Sequence, residues 1–204
     1  YEYSDQTRFG IGYRSQVKHK LKGDIKFEGL MLPANQDISA RITTPANLTI
    51  GAYHDINDKW SVMAEFGRTY WSSFDTLDIY GENNGKMSTT EERWKDTTFY
   101  AIGASYQYND QWKFRVGFAV DQSAVGQEYR TPRIPDSDRL WYSSGIEYKY
   151  NDDWTFNLGY TYIRADKGKV KLLGYHDGDN ARGSLQADYE NDIHILGFGA
   201  SYNF

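Results

Sequence analysis

The chain contains no cysteine. That excludes disulfide staples, thiolate metal sites and thiol nucleophiles together. Proline is scarce, with four in 204 residues, so long segments escape the residue that interrupts backbone hydrogen-bond ladders. No stretch approaches the ~20 consecutive apolar residues of a membrane-crossing helix, and the mean hydropathy is −0.76. This does not exclude a membrane β-barrel, because strands that alternate polar and apolar side chains average their polarity away. The formal charge of −5 is mild and gives no footprint for nucleic acid. There is no initial Met and no signal peptide, which reads as a mature form or a fragment.

Catalytic and metal signatures are also lacking. His19, His54, His176 and His194 share no metal-ligand spacing and read as interface or loop residues. The run His176-Asp177-Gly178-Asp179-Asn180 hints at a calcium loop but lacks the rest of that pattern, so a solvated turn is expected. Asn47-Leu48-Thr49 is a glycosylation sequon by letter only. There is no phosphate-binding loop and no Ser/His/Asp arrangement. The reading is of a protein with no catalytic residue, no metal and no cofactor, and not an enzyme; an outer-membrane lipase or acyltransferase is remote for the same reason.

What is abundant is aromatic: 17% of residues, with 18 tyrosines. One aromatic motif recurs. Ile56-Asn57-Asp58-Lys59-Trp60, Tyr108-Asn109-Asp110-Gln111-Trp112 and Tyr150-Asn151-Asp152-Asp153-Trp154 share an Asn-Asp turn followed by Trp, and Tyr3-Ser4-Asp5-Gln6 is a degenerate copy. Asn and Asp favour tight turns, and Trp suits a membrane–water interface. A period of this kind marks a repeated supersecondary unit, here one strand up, a longer loop and one strand down.

Alternation after each turn supports the unit. Trp112, Phe114, Val116, Phe118 and Val120 oppose Lys113, Arg115, Gly117, Ala119 and Asp121, as period-two side chains of a strand do. Trp60, Val62, Ala64 and Phe66 oppose Ser61, Met63, Glu65 and Gly67, with Arg68 breaking the apolar face near its far end, where it can snorkel. The spacing predicts eight strands at about 8–28, 45–55, 60–80, 96–108, 112–126, 139–150, 154–172 and 185–204. The longer connections are then near 29–44, 81–95, 127–138 and 173–184.

The C-terminal residues, His194 to Phe204, have one apolar face (Leu196, Phe198, Ala200, Tyr202, Phe204) and one small or polar face. A soluble sandwich or lipocalin-like barrel also alternates, but it seldom ends on such a strand. The pattern predicts an all-β transmembrane antiparallel up-and-down barrel, apolar face to lipid and polar face to the lumen. The short turns, on the side of the C-terminus, are then periplasmic and the longer connections extracellular. Trp60, Trp112 and Trp154 should form one outward belt at the periplasmic rim. Arg14, Arg115 and Arg139 should face the lumen, at least one of them paired with Glu65, Asp121 or Glu147. The ending Gly199-x-x-Tyr202-x-Phe204 resembles the signal read by the bacterial barrel-assembly machinery, with Gly197 at the place of its usual polar residue.

Two segments go beyond a generic barrel. Tyr13-Arg14-Ser15-Gln16-Val17-Lys18, running on to Lys22-Gly23, is similar to the Tyr-Arg-Ser-x-Val-Lys…Lys-Gly segment of the FadL-type long-chain fatty-acid transporters. Ile134-Pro135-Asp136-Ser137-Asp138-Arg139-Leu140-Trp141-Tyr142-Ser143-Ser144-Gly145 resembles that family's Ile-Pro-Asp-x-Asp-Arg-x-Trp-x-Ser-x-Gly. The resemblance spans essentially the whole chain. It implies a fourteen-stranded Gram-negative outer-membrane barrel with an N-terminal plug, of which residues 1–204 would be the C-terminal part, the last eight strands, without the plug and first strands.

The resemblance implies passive uptake of long-chain fatty acids or similar hydrophobic compounds. A carboxylate ligand needs Arg or Lys, and the candidates are Arg14, Lys18, Arg115, Arg139 and Lys95. For each of the inward residues, the competing role is to bridge carboxylates across the lumen wall. The family's anchor lysine has no match: Thr90 stands near its place, with Lys86, Arg93 and Lys95 close by. Implied partners are the hydrophobic ligand, outer-membrane lipid and lipopolysaccharide, and the assembly machinery through Phe204, with a monomeric full-length protein. The alternative is a small closed eight-stranded barrel with a structural or adhesion role.

Overall fold

The computed structural model describes residues 1–29, 35–82, 85–174 and 183–204. The calcium-like run at 176–180 lies outside them. The described residues form fifteen strands: β1 (Glu2–Ser4), β2 (Thr7–Arg14), β3 (Val17–Ile25), β4 (Gln36–Thr44), β5 (Asn47–Asp55), β6 (Trp60–Thr69), β7 (Thr76–Tyr80), β8 (Lys86–Glu91), β9 (Thr97–Gln107), β10 (Trp112–Asp121), β11 (Arg139–Lys149), β12 (Trp154–Ala165), β13 (Gly168–Leu172), β14 (Leu185–Tyr189) and β15 (Asp192–Tyr202). A 3-10 turn, Trp71–Ser73, follows β6. The main sheet runs β1-β2-β5-β6-β9-β10-β11-β12-β15, and β3-β4-β7-β8 and β13-β14 form two smaller sheets. Every ladder is antiparallel.

The expected up-and-down order is therefore present, but the long strands are interrupted. Residues 8–28 become β2 and β3, 60–80 become β6 and β7, 154–172 become β12 and β13, and 185–204 become β14 and β15. Two expectations need correction. The expected connection 29–44 contains β4, and the expected connection 81–95 contains β8. Pro45 reads as a strand boundary in sequence because it cannot donate to a ladder, yet it only interrupts one. The Lys86–Glu91 strand has almost no apolar alternation to reveal it.

The interruption at Pro45 preserves register. Arg14 pairs with Asn47 in the β2–β5 ladder, and Val17 pairs with Thr44 in the β3–β4 ladder. Both strands advance by the same number of residues, so side chains keep their faces from β2 into β3 and from β5 into β4. The other interruptions do not: Thr69↔Thr97 is followed by Thr76↔Glu91, and Arg164↔Asp192 by Gly168↔Tyr189. One extra residue is absorbed in each, the first by the 3-10 turn.

The recurring motif is a side-chain-capped turn. Asn57 Oδ1 accepts the backbone N–H groups of Lys59 and Trp60, both at 3.0 Å. Asn109 does the same for Gln111 and Trp112 at 3.0 and 2.9 Å, and Asn151 for Asp153 and Trp154 at 3.1 and 2.7 Å. In the degenerate copy Ser4 Oγ takes the Thr7 N–H at 3.1 Å. Each Asn thus pins its tryptophan at the first residue of a strand.

The tightest packing lies at the opposite end of the molecule, beyond the main sheet. Phe74, Ala124, Val125, Val170 and Leu172 are buried there, and Trp94 meets Trp71 and Phe74 edge-on at 4.9 and 5.0 Å. Arg130 closes this cluster, only 6% exposed. Its guanidinium donates to the carbonyls of Asp136 (2.7 Å), Lys169 (2.8 Å) and Val125 (3.4 Å). A buried cation is tolerable only when its donors are satisfied in this way, and here it ties the 125–136 segment to β13.

Candidate functional site

One face of the main sheet lines a cavity of about 920 Å³ that touches every strand of that sheet except the stub β1. A single cavity spanning the sheet from edge to edge requires that this face be concave. Its charged side chains, Arg8, Glu65 and Arg115, and the Asn157 amide belong to the face predicted as luminal. Trp60, Trp112 and Trp154 lie on the other, convex face, each against a tyrosine on the next strand: Tyr106 at 4.6 Å, Tyr148 at 4.4 Å and Tyr202 at 4.9 Å between ring centroids. The outward aromatic belt is thus present at the turn end.

The concave wall is graded along the strands. Nearest the turns, Arg115 forms an ion pair with Glu147 and donates to Asn157 Oδ1 at 3.2 Å, while Lys113 Nζ stands 3.9 Å from Glu147. Glycine opposite Arg115, at Gly145, leaves the guanidinium room to reach along the strand. Next comes a band of small residues, Gly103, Gly117, Gly145, Gly159 and Gly197. Met63 covers Gly103, where an added Cβ would fall 3.1 Å from Met63 Cγ and 3.3 Å from the Val116 carbonyl. Further up the wall turns apolar, with Phe99 edge-on to Trp141 at 6.5 Å and Ile163 buried. At the top of the sheet Arg139 bridges Asp121 at 2.9 Å and Asp136 at 3.2 Å.

Arg115 and Arg139 therefore stand where parity placed them, paired with Glu147 and Asp121. Glu65, the third expected acid, makes no ion pair among the described residues. Arg14 ends β2 on the concave side, exposed and with no ion pair among the described residues. Lys18 lies on β3 and shares that side through the continuous register. Lys95 is off the wall, in the connection between β8 and β9, where its backbone N–H donates to Ala124 at 2.9 Å. Thr90 is buried, 5% exposed. Sequence reasoning missed Arg130, whose role depends on carbonyls of three separate segments. It also missed Asn157, visible only as a polar residue at luminal parity.

Several outward polar residues are tied down. Arg68 donates to Thr98 Oγ1 at 2.8 Å and pairs with Asp96 at 3.4 Å. Tyr160 bonds His194 Nδ1 at 2.7 Å, and Tyr162 donates to Asp192 at 3.0 Å. From Trp154 to Tyr162 is about 27 Å along the strand at ~3.4 Å per residue. A tilt of about 40° reduces this to about 21 Å, close to the ~25 Å apolar band of an outer-membrane barrel.

All of residues 1–204 match the family described as outer membrane protein transport protein (OMPP1/FadL/TodX). The chain belongs to this family. A long-chain fatty acid transport protein of Escherichia coli O6:H1 is 29% identical over 219 residues, covering 100% of this chain and 47% of the relative. Outer membrane protein P1 of Haemophilus influenzae is 29% identical over 215 residues, covering 100% and 45%. Among solved structures, a Pseudomonas aeruginosa FadL homologue superposes with a TM-score of 0.88 at 25% identity, covering 99% of this chain and 50% of its own. The P. putida toluene transporter TodX, at 21% identity and a TM-score of 0.64, shares the fold. The chain spans about half the length of the curated relatives it matches. As a FadL/TodX-family chain it is an outer-membrane protein forming part of an antiparallel barrel. The Asn-capped turns then mark the periplasmic rim, where such barrels keep their short connections.

Proposed function

We propose that the protein carrying this chain is a passive outer-membrane channel for long-chain fatty acids or similar hydrophobic compounds. The carrying observation is the band of glycines on the concave wall, so that a cavity of about 920 Å³ is bordered there by backbone rather than by bulky side chains. Above it the wall is apolar at Phe99, Trp141 and Ile163, and below it polar at Arg115, Glu147 and Asn157, the mix expected of a site for an apolar ligand with a few polar anchors. The family is one of transporters, not enzymes.

On this reading residues 1–204 are the C-terminal part of the barrel, and the plug and first strands belong to the rest of the protein. Arg14 and Lys18 suit a carboxylate anchor better than Arg115 and Arg139, whose guanidinium groups are already engaged by acids. Lys95, off the wall, suits capture among the extracellular segments. Lipid and lipopolysaccharide surround the convex face, and Phe204, fully exposed, is offered to the assembly machinery; the full-length protein works as a monomer. A small closed barrel has no support, because β1 and β15 do not pair among the described residues.

The test is uptake of labelled oleate and labelled toluene by cells lacking their own transporter and producing the full-length protein. Uptake of at least one above the empty-vector level is expected. No uptake of either, with the barrel inserted, overturns the reading.

A further inference from the structure

We propose that one face of the β2–β5 hairpin and its β3–β4 extension is a cationic track that captures the anionic head of an amphiphile and hands it down to the luminal cavity. This rests on the channel reading and assigns residues that the reading does not. Because the two ladders share one register, Arg8, Arg14, Lys18, Lys20 and Lys22 all lie on the concave side of the same continuous hairpin. Arg41 joins them, directly opposite Lys20. From Lys22 down to Arg8 is about 48 Å at ~3.4 Å per residue. Arg8, at the bottom, lies 4.3 Å over the Tyr53 ring and borders the cavity.

Within the described residues the charges are unspent. Lys18, Lys20, Lys22 and Arg41 are exposed and make no ion pair among the described residues. Nearby acids do not serve them: Asp24 stands 3.9 Å from Lys26, and Asp78 pairs with Lys86 at 3.0 Å. Asp24 and Asp37 face each other at the tip, beyond Lys22. Like charges directly opposite on adjacent strands destabilise a sheet, so the Lys20–Arg41 pair works against the hairpin's own stability. A basic strip on a strand is most often only a solvated face. This one differs in its inward side, in its continuity with the cavity, and in the contrast with Arg115 and Arg139, which are neutralised on the same wall. Gly10 and Gly12 carry no side chain beside the lower track, and a Cβ there would meet nothing within 4 Å among the described residues.

A row of like charges raises the local concentration of counter-charged solute and speeds its capture, an effect that falls with ionic strength. The chemistry recognised is a single negative head on a long apolar tail. The experiment compares full-length protein with a Lys20→Gln/Lys22→Gln/Arg41→Gln variant, following initial uptake of labelled oleate and of oleyl alcohol, the neutral compound of the same tail. Oleate uptake by the variant should fall several-fold while oleyl alcohol changes little, and wild-type oleate uptake alone should slow as salt is raised. Equal losses for both compounds, or none for oleate, would overturn the track. Should the variant fail to insert, the wild-type salt dependence decides: equal dependence for oleate and oleyl alcohol overturns it. Uptake of oleyl alcohol but not oleate by the wild type would sink the track and leave the channel intact. Uptake of neither would sink both.

Discussion

The β2–β5 hairpin and the β10–β12 sheet place similar cations on the same concave wall and leave them in opposite states. In β10–β12, Arg115 and Arg139 each find an acid on a neighbouring strand at matching parity. In the hairpin, Lys18 faces Thr43, Lys22 faces Ser39 and Lys20 faces Arg41. Parity decides which wall a charge lines; the residues across the ladder, directly opposite or diagonal, decide whether that charge is consumed. Structural bridges belong to the first region and free potential to the second.

Four changes would break or sharpen that contrast in the full-length barrel. The largest effect belongs to neither strip but to the cluster above them. Arg130→Met would orphan three carbonyls and should cost about 3 kcal/mol, since bonds to charged donors are the stronger ones; faster amide exchange in β13 and cleavage near 125–136 would register it. Next, Glu147→Lys sets a third cation beside Lys113 and Arg115 and should cost about 2 kcal/mol in urea unfolding, less than a fully buried reversal because the site is partly solvated. The same reversal in the hairpin, Lys20→Glu, should shift stability by no more than about 0.5 kcal/mol and in the stabilising direction, because it meets Arg41. A large loss there would mean that the hairpin cations are structural after all.

The smallest effect is a pH response in the β7–β8 hairpin. Burial works against the Asp78 carboxylate, but hydrogen bonds from Lys86 and Thr89 outweigh it and hold the pKa below the ordinary carboxylate value. A depressed folded pKa contributes stability that is present above the unfolded value, near ~3.9, and is lost as pH falls through the folded one. Amide protection of β7–β8 should therefore be flat from neutral pH to about 5 and decline below about 4, and Asp78→Asn should remove that decline. A decline that persists in the variant would assign the response to another group.

Much of the wall was legible from sequence. Alternation alone placed Arg115, Arg139, Asp121 and Glu147 on one face and the three rim tryptophans on the other, because period two leaves no third choice. The Asn-Asp-Trp repeat marked the turns, although it is the Asn side chain that does the capping. What escaped was non-local or disguised. Arg130 is held by carbonyls far apart in the chain, which no spacing announces. β4 hid behind Pro45, and the free state of Lys20 and Arg41 required knowing what stood across the ladder.

The shared register of the two hairpin ladders also says how this gene tolerates insertions. Adding one residue at Ser15–Gln16 would rotate everything beyond it by half a strand period, turning Lys18, Lys20 and Lys22 outward and bringing Val17, His19 and Leu21 to the inside. Adding two would restore the original faces. At the β6–β7 and β12–β13 interruptions an odd residue is already accommodated, so natural length variation should collect there and come in even steps, if at all, at the Pro45 gap.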